Sequence, residues 1–580
     1  MYTASFAFFE MLAEAGVTHC FVNLGSDHPP ILEALVKGRR ENTPNFPKII
    51  TCPNEMVALS CADGVARVTG KPQAVIVHVD VGTQGLAAAM HNASCGRVPV
   101  MIFAGLSPFT QDGEMRGTRT EFSQYSQDVK DQGAIVRQYC RYDYEVKTGK
   151  NIKQMMMRAL QFATSDPKGP VYLCAAREVL EEEIEPYHLD MSVWGPVAPS
   201  SLPESAVEEI THSLIGAQNP LFITGYVGRN YNAVRELVSL ADKLPIRVLD
   251  TLGSDMCFPS NHRSCLGLGY GSHPWVTKAD VIIVLDCDVP WIPTLCKPTT
   301  TAIWHIDVDP MKQQMPLFYI SAKSRFKADA ETVLKQLNKA IAGHLTAYST
   351  TYKSRFEILE EEYQERLADL SKVAEPRADG ALTSAYVARK LKGVMPKDAV
   401  VCLEAVTQTV AVVDQLQMTE PGSLLNSGAG GLGWFGGAAL GIKLALDNGP
   451  PNVGRFVAAI VGDGTFLFSV PSSVYWMSMR YNIPFLTIVI NNKGWNAPKR
   501  SALLVHSNGL SSTASNDELY IEFDPSPDYS GIAKAAAGGK LWAGKAKNVT
   551  EFNGLLKEAV EAVKGGTSAV LEVVVFGTGS

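Results

Sequence analysis

Short apolar strands, Gly- or Asp-bearing turns and helices alternate along three stretches of this chain, and that βαβ rhythm admits few architectures. It calls for largely parallel sheets with helices packed on their faces. In residues 1–190 an N-terminal helix with Phe6, Phe9, Leu12 and Ala15 on one face precedes the strand HCFVNLG and the helix ILEALV. A second round follows as helix EMVALSCADGVARVTG, strand QAVIVHVD, turn VGTQG, helix LAAAMHNASCG and strand VPVMIFAG. The Pro-containing run PYHLDMSVWGPVAPSSLP reads as a linker and sets a boundary near 190. Residues 191–350 carry the strands NPLFITG, PIRVLD, ADVIIVLDCD and TAIWHIDVD. Residues 351–580 open on the charged connecting helix YKSRFEILEEEYQERLADLSK and then repeat the first rhythm through AVVCLE, RFVAAIVGDG and FLTIVINNKG. The expected fold is three α/β domains with mainly parallel sheets.

A length of 580 residues accommodates three cores, and 46% hydrophobic residues are enough to fill them. Fifty-two basic against 59 acidic residues leave a net charge of -7, which offers no general attraction for a polyanion, so nucleic acid is an unexpected partner. Eleven cysteines without a C-x-x-C pair read as free thiols of a reducing, cytoplasmic compartment. The opening MYTASFAFFEMLAEAG carries acids among its apolar residues and reads as a first helix, not an export leader. The stretch GAGGLGWFGGAALGIKLAL is crowded with Gly and interrupted by Lys443, as expected of a tight turn feeding a buried helix and not of a membrane span.

Several residue groups can carry chemistry. GAGGLG, with Gly428, Gly430 and Gly433, matches G-x-G-x-x-G, but the preceding TEPGSLLNS reads as no apolar strand, which argues against a nicotinamide fingerprint. Its glycines permit close backbone approach, leaving Trp434 and Phe435 either as an aromatic wall for a ligand or as ordinary core. Asp463 follows the strand AAIVG, and Asn492 follows the strand FLTIV. Strand ends of one parallel sheet converge, and a carboxylate, an amide oxygen and a backbone carbonyl are hard ligands suited to Mg2+. Glu55 opens an apolar helix, where a buried carboxyl could exchange protons with a heterocycle or merely cap the helix. His78 ends QAVIVHVD beside Gly82 and Gly85, and either acid–base work or a structural role fits it. Asp286, Asp288, Asp307 and Asp309 sit at central strand ends, where structural capping is the expectation and no metal is assigned.

Taken together, CPNEMVALSCADGVARVTGKP, GAGGLGWFGGAALG, AIVGDGTF and IVINNKGW resemble the thiamine diphosphate-dependent family that includes acetolactate synthases and 2-oxo acid decarboxylases. The resemblance spans nearly the whole chain and implies a thiamine diphosphate-binding fold: a pyrimidine-binding first domain, a central domain and a diphosphate-binding third domain. It implies that Glu55 contacts the aminopyrimidine and promotes removal of the thiazolium C2 proton. Asp463 and Asn492 become Mg2+ ligands with the Gly494 carbonyl, while Gly462 and Gly464 give the phosphates access. Gly82 and Gly433 join the cofactor contacts, and Phe435 takes the bulky position that keeps the cofactor bent. His78 matches a substrate-side histidine of benzoylformate decarboxylase-like relatives, Gln127 a glutamine of the synthases, and His28 lies in a loop that approaches substrate. The turn VDVGTQG departs from the Gly-Pro-Gly turn common in acetolactate synthases. Some synthase-like relatives retain FAD, but no segment here establishes its contacts.

The implied activity is carboligation or carbon–carbon cleavage of 2-oxo acids, acyloins or related carbonyl compounds. Nonoxidative 2-oxo acid decarboxylation and a noncatalytic cofactor-binding assembly protein are the alternatives. Because family sites lie between the first domain of one subunit and the third of another, a homodimer or homotetramer is implied.

Overall fold

The computed structural model describes residues 2–447 and 454–576. Three six-stranded sheets form its frame, and every pairing between named strands is parallel. The first contains β1 (His19–Val22), β2 (Lys48–Thr51), β3 (Gln73–Val77), β4 (Val100–Leu106), β5 (Tyr142–Glu145) and β6 (Val171–Ala176), in the order β2-β1-β3-β4-β6-β5. The central sheet contains β7 (Pro220–Thr224), β8 (Arg247–Asp250), β9 (Cys265–Leu268), β10 (Val281–Leu285), β11 (Ile303–Asp307) and β12 (Ser324–Lys327), in the order β12-β11-β10-β7-β8-β9. The third contains β13 (Val400–Glu404), β14 (Leu424–Asn426), β15 (Val457–Gly462), β16 (Leu486–Asn491), β17 (Trp542–Ala546) and β18 (Ala569–Val574). Its order, β14-β13-β15-β16-β18-β17, is that of the first sheet, strand for strand. The first and third domains therefore share a topology, and in each the strand order reverses beside the first strand. Such a switch point leaves a crevice at the carboxyl ends of the strands.

Those two sheets share a core through the helices Glu55–Thr69 and Trp434–Asp447. The helices approach backbone to backbone, because a Cβ on Gly437 or Gly441 would overlap the carbonyls of Val57 and Cys61, and one on Gly64 would overlap that of Ala438. The Gly crowding noted in the sequence thus serves helix contact as well as the turn before it. The central domain is tied to the first by a partly buried ion network. Arg97 pairs with Asp288 (2.8 Å) and Asp307 (3.2 Å), Lys312 pairs with both, and the Tyr226 hydroxyl donates to Asp288 (2.9 Å). The capping expectation for the central aspartates needs enlarging: Asp309 accepts from Gln313 N–H (3.1 Å), but Asp288 and Asp307 hold two domains together.

Two local expectations are corrected. VGTQG lies within a short helix, Asp80–Gly85, whose Thr83 hydroxyl meets the Tyr172 hydroxyl at 2.9 Å, so the turn is wound inward instead of open. TEPGSLLNS does contain a strand, β14, paired with β13 from Val401–Leu424 to Leu403–Asn426. Pro421 and Gly422 hide its periodicity by leaving room for only three residues. Among the described residues, no helix is long and apolar enough to cross a membrane.

Candidate functional site

The switch point of the first sheet gathers Asp27, His28 and His78. Gly25 N–H donates to His28 Nδ1 (3.1 Å), which makes Nδ1 the acceptor and places the ring proton on Nε2, 3.4 Å from Asp27 Oδ2. Val79 N–H also donates to Asp27 Oδ2 (3.3 Å). Burial dominates both groups, pushing Asp27 up to about 7 and His28 down to about 3. Bare glycines make room for the cluster: a Cβ on Gly105 would overlap the Asp27 carboxylate, one on Gly25 would meet the His78 Cβ, and one on Gly82 its ring. Gly82 is therefore explained by His78 in this chain. Asp27 is a site residue that sequence reasoning missed, although its place after β1 at a switch point was the available signal.

Glu55 begins its helix, but Asn54 caps it, accepting from Val57 N–H at 3.1 Å. The capping alternative is thus removed. The half-buried Glu55 carboxylate has no hydrogen-bond partner among the described residues and lies against Gly85, where a Cβ would come within 2.6 Å of Oε2. Gln127 is half-buried at the end of the helix Ser123–Ser126, and its carbonyl accepts from the Ser107 hydroxyl (2.9 Å). Its side chain makes no hydrogen bond to Glu55, His28 or His78. A glutamine built into this region is the buried Gln132, which donates to the Gly105 carbonyl and the Tyr172 hydroxyl, both at 2.8 Å.

In the third domain, Asp463 starts a helix at the end of β15, and its carboxylate accepts from the N–H groups of Gly464 (2.8 Å) and Gly494 (3.0 Å). Burial raises it to about 6 against those bonds. The Asn492 amide faces the same place, with one amide atom 3.3 Å from each Asp463 oxygen and 3.0 Å from the Gly494 carbonyl oxygen. With the amide oxygen on that side, acceptors converge on one another; with the amide turned, its NH2 donates to them. Gly494 is required as glycine: its φ is +140° and a Cβ would overlap the Ile521 carbonyl.

The other glycines divide. Gly433 has φ +94° and Phe468's carbonyl where a Cβ would stand. At Gly464 the Trp495 ring fills that place, so indole packing accounts for this glycine, and phosphate access is not needed to explain it. Gly462 faces open space, its nearest neighbour to a Cβ being Thr465 Oγ1 at 3.8 Å. Phe435 is fully buried and stacks on Phe466, with centroids 6.4 Å apart, while Trp434 is buried under the Arg67 guanidinium, 4.9 Å from its ring. These aromatics are core residues of the chain and form no open wall. Two anchors of the Gly-rich loop were invisible in the sequence. Asn92 clamps Gly431 through its N–H (3.0 Å) and carbonyl (2.7 Å), and Gly430 N–H donates to His91 (3.2 Å). No hydrogen bond or ion pair among the described residues joins the Asp27–Glu55–His78 group to Asp463 and Asn492.

Three family models cover the domains that carry these two groups and the domain between them. Residues 2–134 match the N-terminal TPP binding domain of thiamine pyrophosphate enzymes, residues 207–337 their central domain, and residues 405–573 their C-terminal TPP binding domain. The chain belongs to the thiamine pyrophosphate enzymes. It is 24% identical to benzoylformate decarboxylase of Pseudomonas aeruginosa over 86% of its own length and 87% of that protein. It is 23% identical to acetolactate synthase isozyme 3 large subunit of Escherichia coli, covering 90% of this chain and 87% of that subunit. Among solved structures, benzoylformate decarboxylase of Polynucleobacter necessarius superimposes with a TM-score of 0.78 at 19% identity over 99% of both chains. The thiamine diphosphate-dependent 4-hydroxybenzoylformate decarboxylase of Rhodococcus jostii RHA1 gives 0.75 at 20% identity over the full length of both. In this thiamine pyrophosphate enzyme, the residue groups at the first and third switch points fall within the two domains that match the TPP-binding models.

Proposed function

We propose that the chain is a thiamine diphosphate- and Mg2+-dependent carbon–carbon lyase and carboligase acting on 2-oxo acids and related carbonyl compounds. The convergence of Asp463, Asn492 and the Gly494 carbonyl carries this reading. Neighbouring oxygens around an octahedral Mg2+ stand about 2.9 Å apart, given metal–oxygen distances near 2.05 Å. With the Asn492 amide oxygen facing inward, its separations of 3.0 and 3.3 Å from the Gly494 and Asp463 oxygens fit that spacing, which supports a Mg2+-held diphosphate at the third-domain residues.

When bound, thiamine diphosphate supplies the electron sink for breaking a bond beside a carbonyl. The chain's own residues do the rest. Asp463, the Asn492 amide oxygen and the Gly494 carbonyl hold the cation. Glu55, without a hydrogen-bond partner among the described residues and pressed against Gly85, would share a proton with the aminopyrimidine. His28 Nε2, the buried Asp27 and His78 form a proton-bearing wall on the substrate side. Gln127 remains a candidate on that side, while Phe435 would back the bent cofactor from the core and Gly82, Gly433, Gly462 and Gly464 would shape the surfaces around it.

The resemblance to a family whose sites lie between the first domain of one subunit and the third of another supports a homodimer, or a homotetramer, in which each site takes one group from each copy. We retain 190 and 350 as domain limits. The eleven free cysteines support a reducing, cytoplasmic setting.

The Asp27–His28–His78 cluster favours a second reading, simple decarboxylation, because proton delivery after carbon dioxide loss yields an aldehyde. Incubating the Mg2+- and thiamine diphosphate-loaded protein with 2-oxo acids, alone and with an acceptor aldehyde, tests both. Acyloin product supports ligation, aldehyde alone supports decarboxylation, and consumption of neither substrate defeats the proposal.

A further inference from the structure

Glu404 has no part in the reading above, yet it is a buried acid placed where the third sheet reverses its strand order. It ends β13 with 3% of its surface exposed. No lysine, arginine or histidine pairs with it among the described residues. Its two oxygens instead form a fork: Oε1 accepts from Gly433 N–H at 3.0 Å and Oε2 from Phe435 N–H at 2.9 Å. Burial raises the carboxyl to about 8 against these bonds. Desolvating such a group is costly, and hydrogen bonds from two backbone N–H groups are what offset it.

A cap for the helix starting at Trp434 could come from a neighbouring Ser or Asp. Here the acceptor comes from another strand, 29 and 31 residues away. The fork grips the end of a stretch that is also held from the first domain, where Asn92 and His91 bind Gly431 and Gly430. Between these anchors Gly433 lies against the Phe468 carbonyl, and Phe435 stacks on Phe466; both partners belong to the helix that Asp463 begins. The Gly430–Phe435 segment is thus fixed at both ends and packed against the element that carries a proposed metal ligand.

We propose that Glu404 is a positioning residue, whose carboxylate fork holds the Gly433–Phe435 backbone in the shape that seats the cofactor beside the Asp463 helix. The proposal rests on the cofactor reading above. A residue acting only as a cap would change stability and leave cofactor affinity alone.

The test uses the full chain with Glu404→Gln and Glu404→Asp. Glutamine keeps one acceptor oxygen and turns an NH2 toward an N–H; aspartate keeps the charge but shortens the reach. Two measurements decide: backbone hydrogen exchange of the 430–440 segment without cofactor, and thiamine diphosphate affinity in Mg2+ followed by tryptophan fluorescence. Loss of one of the two accepting oxygens predicts segment exchange faster by about tenfold or more and cofactor affinity lower by about tenfold or more in Glu404→Gln, with Glu404→Asp intermediate. Unchanged segment exchange, or unchanged cofactor affinity in a folded variant, overturns the proposal. If the glutamine variant does not fold, the aspartate variant decides by the same two measurements. A wild-type chain that fails to bind thiamine diphosphate overturns the cofactor reading instead, while segment exchange still reports whether Glu404 pins the backbone.

Discussion

Glu55→Gln separates chemistry from stability unusually well in this chain. Asn54, not Glu55, caps the helix, and the Glu55 carboxylate makes no hydrogen bond among the described residues. The substitution therefore breaks no bond and changes side-chain volume very little. The stability at risk is the interaction of a first-turn carboxylate with the helix dipole, about 0.3–1 kcal/mol. If Glu55 handles the aminopyrimidine proton, its loss removes an acid–base contribution of about 10²- to 10⁴-fold, or roughly 3–5 kcal/mol of barrier. The assay is deuterium exchange at C2 of bound thiamine diphosphate, quenched with acid and read by NMR, with urea unfolding of the same samples. The expected pattern is slowed exchange by that factor, cofactor still bound, and an unfolding free energy within about 1 kcal/mol of wild type. Wild-type exchange in Glu55→Gln with the cofactor bound would refute the reasoning, because nothing else about the residue changes.

The remaining expectations address the metal site, the interdomain network and the first switch point. Chelation with EDTA should release thiamine diphosphate, and Asp463→Asn should fail to retain it in added Mg2+; retention in either experiment, measured by gel filtration and cofactor fluorescence, removes the metal role. Arg97→Met leaves Asp288 and Asp307 with Lys312 as their one cation among the described residues, beside the Tyr226 hydroxyl and the Asp309 N–H, and should cost about 3 kcal/mol in urea unfolding, the low end for breaking a buried pair; a cost near zero would mean that the network is not a clamp. Asp27 has a folded-state value of about 7 against 3.8 for the free carboxyl, so the folded chain keeps a proton that the unfolded chain gives up. Its contribution is fully present below about pH 4 and is lost as pH rises to about 7, a fall of up to about 4 kcal/mol. Asp27→Asn should flatten that slope in denaturant midpoints taken across the window, and an unaltered slope would assign the titration elsewhere.

How legible each strand was depended on its place in a sheet. β1, β3, β4, β7, β8, β10, β11, β13, β15 and β16 stand in sheet interiors and carry apolar runs that announce themselves. All six edge strands, β2, β5, β9, β12, β14 and β17, went unread, because an edge strand is short and often has one face open to water; SRFK of β12 alternates half-buried and exposed positions. The interior strands β6 and β18 also escaped, since VYLCAA and AVLEVV suit a buried helix as well as a strand. Asp463 and Asn492 stood out as candidates in the sequence because each follows a strand directly. Asp27, Asn92, Gln132 and Glu404 were not, since their significance lies in partners between 27 and 339 residues away: Gly105, Gly431, and the Gly433 and Phe435 amides.

By itself the sequence determined three parallel α/β layers, because apolar runs of strand length joined through helices can bury their backbones in no other common way. It also determined the residue types able to hold a divalent cation at the third strand ends. Only the tertiary structure decided what each glycine and acid is for. Gly64, Gly437 and Gly441 let two helix backbones touch, Gly464 accepts an indole, and Gly105 accepts Asp27. The reason is physical: a missing Cβ is a space, and what fills it is set by whichever distant segment folds against it.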